Sequence, residues 1–161
     1  MYNKVILIGR LTATPEMVKI NGGESPTAET VWARLLRDIG HWQMLGYGYW
    51  AVFEKSTNRY AGSFGFQDAH RDITPALEYP EAGWMLMPNV RGKGYATEAL
   101  TAILLWADEI FSSPVCCIID EENTRSNYLA ERFGFQFQNY VTYRGKQIRL
   151  LVRHNALNSC L

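Results

Sequence analysis

The first chemical signal in the chain is the segment Arg91-Gly92-Lys93-Gly94-Tyr95-Ala96, which lies between a predicted strand and a predicted helix. A glycine-rich turn in that place leaves backbone N–H groups pointing outward, and the N-terminus of the helix adds partial positive charge. A diphosphate fits such a site, and Arg91 and Lys93 add charge for a pyrophosphate or a sugar phosphate. The segment alone is equally typical of an ordinary turn.

Two common phosphate-binding signatures do not match this segment. The dinucleotide fingerprint has a longer glycine pattern and follows the first strand of a βαβ unit. The Walker pattern needs Gly-Lys-Ser or Gly-Lys-Thr, and neither occurs in the chain. The segment therefore indicates a phosphate site of another kind, or none.

A second polar segment follows the apolar run 115–119 and leads into another predicted helix. Asn123 is expected at the carboxyl end of the strand, and Ser126 at the N-terminus of the helix. In a right-handed βαβ arrangement both face the glycine segment, since neighbouring parallel strands end at the same edge. Taken singly, Asn123 is typical of a turn and Ser126 of an N-cap.

Hydrophobic spacing predicts the elements that must position these residues. A helix begins at Ser25 as N-cap and Pro26 as first helical residue, and further helices cover residues 96–110 and 126–133. Strands are predicted at residues 5–11, 49–53, 60–66, 82–87, 115–119, 135–142 and 147–152. This order predicts an α/β fold, with helices packed on a mixed sheet.

Two of the helices show an apolar face. In the first helix that face contains Ala28, Val31, Trp32, Leu35, Leu36, Ile39 and Trp42. In the second it contains Ala99, Leu100, Ile103, Leu104, Ala107 and Ile110. Both faces are expected to pack against the sheet.

Length and composition limit the class of protein. The chain has 161 residues, so we expect one domain over residues 1–161. Hydrophobic residues make up 47% and the formal net charge is zero, which disfavours a nucleic-acid partner. We expect no membrane partner, because the apolar runs are short. Three cysteines without a disulfide spacing, and no leader pattern, indicate the cytoplasm.

In combination, these motifs resemble the GNAT superfamily of acyl-CoA N-acyltransferases. The segment 91–96 matches the family's Arg/Gln-x-x-Gly-x-Gly/Ala signature. Asn123-x-x-Ser126, the following residues 129–135 and Glu81-x-Gly83-Trp84 resemble the RimJ/RimL branch, which acetylates N-termini of ribosomal proteins. The likeness runs from about Pro15 to Arg153.

The resemblance implies a fold and a ligand. The fold is a mostly antiparallel, twisted sheet of six or seven strands with a splayed central parallel pair and three or four helices. The co-substrate is acetyl-CoA, with no metal. Its expected binding residues are Met85, Leu86, Met87, Arg91, Gly92, Lys93, Gly94, Tyr95, Ala96, Thr97, Asn123 and Ser126.

The resemblance also implies roles in catalysis. A main-chain N–H near Leu86 or Met87 polarises the thioester carbonyl, and Asn123 binds the pantetheine amides. Glu81 is the candidate base through a water, or else a solvated carboxylate at a strand end. Ser126 is the candidate proton donor to the sulfur. Many relatives use a tyrosine four residues after that serine, where this chain has Ala130.

The acceptor is expected to be a primary amine of a protein N-terminus or a small molecule, and the protein a monomer or a homodimer. Aromatic residues of the first helix and hairpin would form the acceptor pocket, although most are also typical of core: His41, Trp42, Tyr47, Tyr49, Trp50, Phe64 and Phe66. An inactive acyl-CoA-binding sensor or partner-binding domain is the alternative.

Residues 1–18 resemble a different family, the bacterial single-stranded-DNA-binding proteins. Those proteins continue into an OB-fold barrel, whereas this chain continues into a predicted helix. We therefore expect residues 1–22 to be an atypical N-terminal segment that substitutes for the usual first strand.

Overall fold

The computed structural model describes residues 5–8 and 27–155. The predictions at residues 9–11, Pro15, Ser25 and Pro26 lie outside these residues. The chain forms two compact units, whose three boundaries fall inside two strands and one helix. Of the described residues, the first unit contains those up to Phe66 and Trp84–Ala99, and the second contains Gln67–Gly83 and those from Leu100.

The strands confirm the predicted sheet. They are β1 (Val5–Ile8), β2 (Tyr49–Glu54), β3 (Tyr60–Gln67), β4 (Ile73–Thr74), β5 (Glu81–Leu86), β6 (Val115–Ile119), β7 (Gln136–Tyr143) and β8 (Lys146–Arg153). Their hydrogen-bonded order is β1-β2-β3-β5-β6-β8-β7-β4. The two-residue strand β4 was not predicted, because so short a segment has no periodicity to detect.

The described pairings β1–β2, β2–β3, β4–β7, β6–β8 and β7–β8 are antiparallel. β5 runs parallel to β6, with Glu81 opposite Cys116, as the family resemblance implied. β2 and β3 form the predicted hairpin, with a register shift between Val52 and Phe53. β7 and β8 form the second hairpin around Arg144 and Gly145, which both have positive φ.

Three α-helices occur in the described residues: α1 (Ala28–Leu45), α2 (Tyr95–Ile110) and α3 (Thr124–Arg132). Thr27, two residues after the predicted Ser25, caps α1, because its hydroxyl accepts a hydrogen bond from the Thr30 N–H at 3.2 Å. Gly46 ends α1 with φ 75°, in the left-handed region that is common at helix C-termini. A short 3-10 helix at Pro88–Val90, which was not predicted, precedes α2.

The apolar face predicted for α1 is only partly correct. Val31, Leu35 and Trp42 are half-buried, whereas Trp32, Leu36 and Ile39 are exposed. The one fully buried residue of α1 is Asp38, with the guanidinium groups of Arg34 and Arg37 each 3.6 Å from its carboxylate. The apolar residues of α1 span more than one face, so their spacing alone could not show which face lies inward.

The predicted face of α2 is confirmed with one exception. Ala99, Leu100, Ile103, Leu104 and Ala107 are buried, but Ile110 in the last turn is exposed. In the second unit, α2 is joined to β8 by Arg153, whose guanidinium donates two hydrogen bonds of 2.7 Å to the Asp108 carboxylate. None of the helices in the described part of the chain combines the length and the hydropathy needed to cross a membrane.

Candidate functional site

The glycine segment has the backbone conformation that a phosphate cradle needs. Gly92 and Gly94 have φ of 74° and 85°, in the left-handed region that glycine adopts most easily. The carbonyl of Gly94 accepts the Glu98 N–H at 3.1 Å, so α2 begins immediately after it. The N–H groups of residues 95–97 belong to the first turn and have no acceptor inside the helix. This helix terminus can therefore donate hydrogen bonds to an anion.

Arg91 has a second role beside its predicted charge. Its Nε atom donates a hydrogen bond to the Leu86 carbonyl at 3.2 Å, and the side chain is half-buried. The arginine therefore connects the start of the glycine segment to the end of β5. Lys93, by contrast, is exposed at the middle of the segment.

Tyr95 fixes the first turn of α2. It is buried, and its hydroxyl donates a hydrogen bond to the Glu54 carboxylate at the end of β2. Thr57 donates a second hydrogen bond to the other oxygen of that carboxylate. The hydrogen bonds from Thr57 and Tyr95 lower the pKa of Glu54. The side chain of Tyr95 thus holds the first turn of α2 in place. Only the backbone N–H of Tyr95 remains as a candidate contact to the phosphate.

The two candidate oxyanion donors at the end of β5, the backbone N–H groups of Leu86 and Met87, point to opposite edges of the strand. The Met87 N–H donates a hydrogen bond of 2.8 Å to the Ala61 carbonyl of β3 and is therefore occupied. Successive residues of a strand direct their N–H groups to opposite edges, so the Leu86 N–H points away from β3. Leu86 is consequently the better candidate for contact with a thioester.

Glu81, at the start of β5 in the second unit, is not a solvated carboxylate. Its exposed fraction is 7%, and its Oε2 atom is paired with Arg71. The Gln67 amide donates to the same oxygen at 3.3 Å. Burial raises the pKa of Glu81, and the charge and hydrogen bond of Arg71 oppose that rise. A buried carboxylate of raised pKa is a suitable general base.

Asn123 and Ser126 adopt a capping arrangement in the second unit. Asn123 is the N-cap of α3, because its Oδ1 atom accepts the Ser126 N–H at 3.2 Å. The prediction that Ser126 could be the N-cap is wrong, since the helix begins at Thr124. Within the described chain, neither the Asn123 Nδ2 atom nor the Ser126 hydroxyl makes a hydrogen bond. These two groups are therefore available to a ligand.

Sequence reasoning missed Asn127, which organises the loop before α3. It is buried, and its Nδ2 atom donates to the carbonyls of Asp120 at 2.8 Å and Asn123 at 3.0 Å. Its Oδ1 atom accepts a hydrogen bond from Arg149 of β8 at 2.5 Å. Asn127 follows the candidate residues Asn123 and Ser126 closely in the sequence. The sequence alone does not show which of the two asparagines has a buried side chain, so the role of Asn127 could not be predicted.

The remaining predictions concern the position of the expected tyrosine and the aromatic residues of the acceptor pocket. Ala130, where relatives have a tyrosine, is fully buried, and Tyr128 is exposed. Of the aromatic residues assigned to the acceptor pocket, Trp50, Phe64 and Phe66 are buried core, whereas the others are half-buried: His41, Trp42, Tyr47 and Tyr49. His41 donates from Nδ1 to the Tyr47 carbonyl at 2.6 Å, so it has a structural role in this unit.

Two further groups bear on chemistry. Cys116 and Cys117 are free and buried, and burial raises the pKa of Cys116 to about 12, which makes a thiolate nucleophile unfavourable. Among residues 27–155 no group of three or more His, Cys, Asp or Glu side chains has the arrangement of a metal site.

The decisive observation is the match to a protein family. The profile described as "Acetyltransferase (GNAT) domain" matches residues 5–136, which is most of the chain. The chain belongs to the GNAT acetyltransferase family. The glycine segment of the first unit and the Asn123-x-x-Ser126 segment of the second both lie inside the matched region.

Three solved structures are each similar to this chain over 80% or more of its length. A protein from Bordetella pertussis assigned to the GnaT acetyltransferases is 28% identical, with 94% of this chain and 96% of that chain covered and a TM-score of 0.84. The spermidine/spermine N-acetyltransferase SpeG from Vibrio cholerae is 15% identical, with 98% of both chains covered and a TM-score of 0.67. RimL, a ribosomal L7/L12 alpha-N-protein acetyltransferase, is 18% identical over 80% of this chain and 72% of that chain, with a TM-score of 0.65. The last two show a common fold.

The resemblance to single-stranded-DNA-binding proteins is short. Two proteins named single-stranded DNA-binding protein 2, from two strains of Streptococcus agalactiae, are 68% identical to this chain over 31 residues. The match covers 19% of this chain, and the chain spans about a quarter, 24%, of the length of those curated relatives.

Proposed function

We propose that this protein transfers the acetyl group of acetyl-CoA to a primary amine. The observation that carries the proposal is the cradle formed by Gly92, Gly94 and the first turn of α2, in a chain that belongs to the GNAT family. Two positive-φ glycines and a helix N-terminus, whose first N–H groups have no acceptor inside the helix, suit the pyrophosphate of coenzyme A. Arg91 and Lys93 add positive charge at the same place.

We assign the thioester and the pantetheine arm to four further residues, Met85, Leu86, Met87 and Asn123. The Leu86 N–H donates to the thioester oxygen, where negative charge develops as the amine attacks. The Asn123 Nδ2 group donates to the pantetheine amides. The pantetheine arm lies along the edge of β5 at Met85, Leu86 and Met87, and the backbone of Tyr95, Ala96 and Thr97 binds phosphate.

Transfer proceeds by direct attack in a ternary complex. The amine nitrogen loses a proton to Glu81 through a water and forms a bond to the carbonyl carbon. The carbon–sulfur bond then breaks, and the sulfur receives a proton from the Ser126 hydroxyl. The products are an amide and coenzyme A; Glu81 then releases its proton to water, and Ser126 regains one from water, which restores both groups. Two observations support these roles: the pKa of Glu81 is raised, and the Ser126 hydroxyl makes no hydrogen bond within the described residues.

We propose that the acceptor is a protein N-terminus or a small amine, and that the enzyme is RimJ/RimL-like. We further propose that it works in the cytoplasm as a single domain, either as a monomer or as a homodimer. The motifs Asn123-x-x-Ser126 and Glu81-x-Gly83-Trp84 support that branch. Two proteins of the same fold are named for such acceptors, one for a ribosomal protein's α-amine and one for polyamines.

Ligand-dependent thermal unfolding tests the donor. Acetyl-CoA at millimolar concentration should raise the Tm, because a ligand that binds only the folded state stabilises it. Single-stranded DNA at saturating concentration is the comparison, and we expect no rise with it. Absence of a shift with acetyl-CoA would reject the proposal, while binding without amine-dependent release of coenzyme A would favour a sensor.

A further inference from the structure

We propose that Arg71 is a positioning residue of the acetyl transfer, which holds Glu81 ionised and leaves one carboxylate oxygen for the proton. This inference rests on the proposed function, in which Glu81 is the base. Arg71 belongs to the segment between β3 and β4. It lies outside the glycine segment and outside the motifs that resemble the family.

The two carboxylate oxygens of Glu81 differ in their hydrogen bonds. Arg71 Nη2 and Gln67 Nε2 both donate to Oε2. Within the part of the chain that the structure describes, Oε1 makes no hydrogen bond. A carboxylate held in this way has a fixed orientation, and its second oxygen retains lone pairs for a water or an amine proton.

Arg71 is itself held in place. Its guanidinium lies 5.0 Å from the centre of the Tyr143 ring, in cation–π contact, and its side chain is 26% exposed. The pKa of Arg71 is raised although burial lowers it, because the Glu81 carboxylate stabilises the charged form. The arginine therefore stays charged through the working pH range of the enzyme.

The other groups that face Glu81 carry no opposing charge. Gln67 is neutral, and Cys116, opposite Glu81 in the parallel ladder, has its pKa raised to about 12 and is a neutral thiol. Burial acts to protonate Glu81, and the one facing cation in the described residues that opposes this is Arg71. Removal of Arg71 should therefore raise the pKa of the carboxyl.

The test compares pH profiles of kcat/KM for the wild type, Arg71→Gln, Arg71→Lys and Arg144→Gln. Arg144 is a matched control, because its guanidinium lies 5.1 Å from the same Tyr143 ring but makes no bond to Glu81. For Arg71→Gln we expect the acidic limb to move to higher pH, with at least about tenfold more loss of activity at pH 6 than at pH 8.5. Arg71→Lys should restore much of the profile, and Arg144→Gln should leave it unchanged.

A uniform loss at all pH values in folded Arg71→Gln, or an equal shift in Arg144→Gln, would overturn the inference. A readout independent of activity is the 13C NMR titration of the Glu81 carboxyl carbon, assigned with Glu81→Gln. Arg71→Gln should move this titration to higher pH, and an unchanged titration would also overturn the inference. If the wild type transfers no acetyl group, the proposed function fails, whereas transfer with unshifted profiles contradicts only the role of Arg71.

Discussion

The side-chain oxygen of Asn123 accepts the backbone N–H of Ser126 at 3.2 Å, so the two residues expected at the thioester are joined to each other. This bond uses only Oδ1 of the asparagine and only the main chain of the serine. It leaves an amide donor and a hydroxyl for the ligand. One capping interaction thus provides both the start of α3 and two candidate ligand contacts.

Asn123→Asp should separate the capping role from ligand binding. Aspartate caps a helix as well as asparagine does, so the free energy of unfolding should stay close to the wild-type value. Aspartate has no N–H to donate, so the KM for acetyl-CoA should rise several-fold. Asn123→Ala should both raise KM and cost about 1 kcal/mol of stability. An unchanged KM in stable Asn123→Asp would show that the residue is only a cap.

Ser126→Ala should lower kcat and leave the affinity for acetyl-CoA nearly unchanged. The substitution keeps the backbone N–H that Asn123 accepts, so helix α3 should remain capped. Loss of a general acid typically reduces the rate by about a hundredfold or more. Thr124→Ala, an exposed position in the same turn, is the control. A wild-type turnover number in Ser126→Ala would exclude the serine as acid.

Much of the fold could be predicted from the sequence. The continuous apolar run 115–119, the apolar runs on both sides of the two hairpin turns and the helical spacing in α2 are clear signals, and the expected strands and helix are present there. The apolar residues of α1 are spread over more of the helix surface than those of α2. In the structure Asp38 is buried, whereas Leu36 and Ile39, which were expected to be buried, are exposed. Spacing identifies a helix, but tertiary packing decides its inward face.

The candidate site could be predicted only in part. The glycines of the cradle are visible in sequence because their chemistry is local. The partners of Glu81 are not, since Arg71 and Gln67 reach it through the fold from the end of β3 and the loop after it. The occupied N–H of Met87 likewise depends on which edge of β5 faces Ala61.

Gly92→Ala should weaken binding of acetyl-CoA beyond its effect on stability. An alanine at φ 74° is strained, which should cost about 1 kcal/mol, although there is open space for its methyl group. Gly134→Ala is a matched control, with φ 86° and the same open space at the end of α3. Chemical denaturation should give similar losses for both variants. Calorimetry should show reduced affinity only for Gly92→Ala; equal affinities would argue against a phosphate at the cradle.

Tyr95→Phe should destabilise the protein in a pH-dependent way. Hydrogen bonds from Thr57 and Tyr95 lower the pKa of Glu54, so they contribute stability above the ordinary value of 4.5 that is lost as the pH falls through the lowered folded value. The loss in Tyr95→Phe should therefore be largest near neutral pH and shrink in acid. Urea unfolding across that range measures it. In a Glu54→Gln background the loss should not vary with pH, and a pH-independent loss in the native background would refute the assignment.

The most direct test of the central claim is the amine-dependent release of coenzyme A from acetyl-CoA. Purified protein is incubated with acetyl-CoA and a panel of N-terminal peptides, polyamines and small amines, with mass spectrometry of the products. We predict release of free coenzyme A together with an acetylated amine, lost in Glu81→Gln and Gly94→Ala. Binding of acetyl-CoA with no acetylated product from any amine would contradict the account.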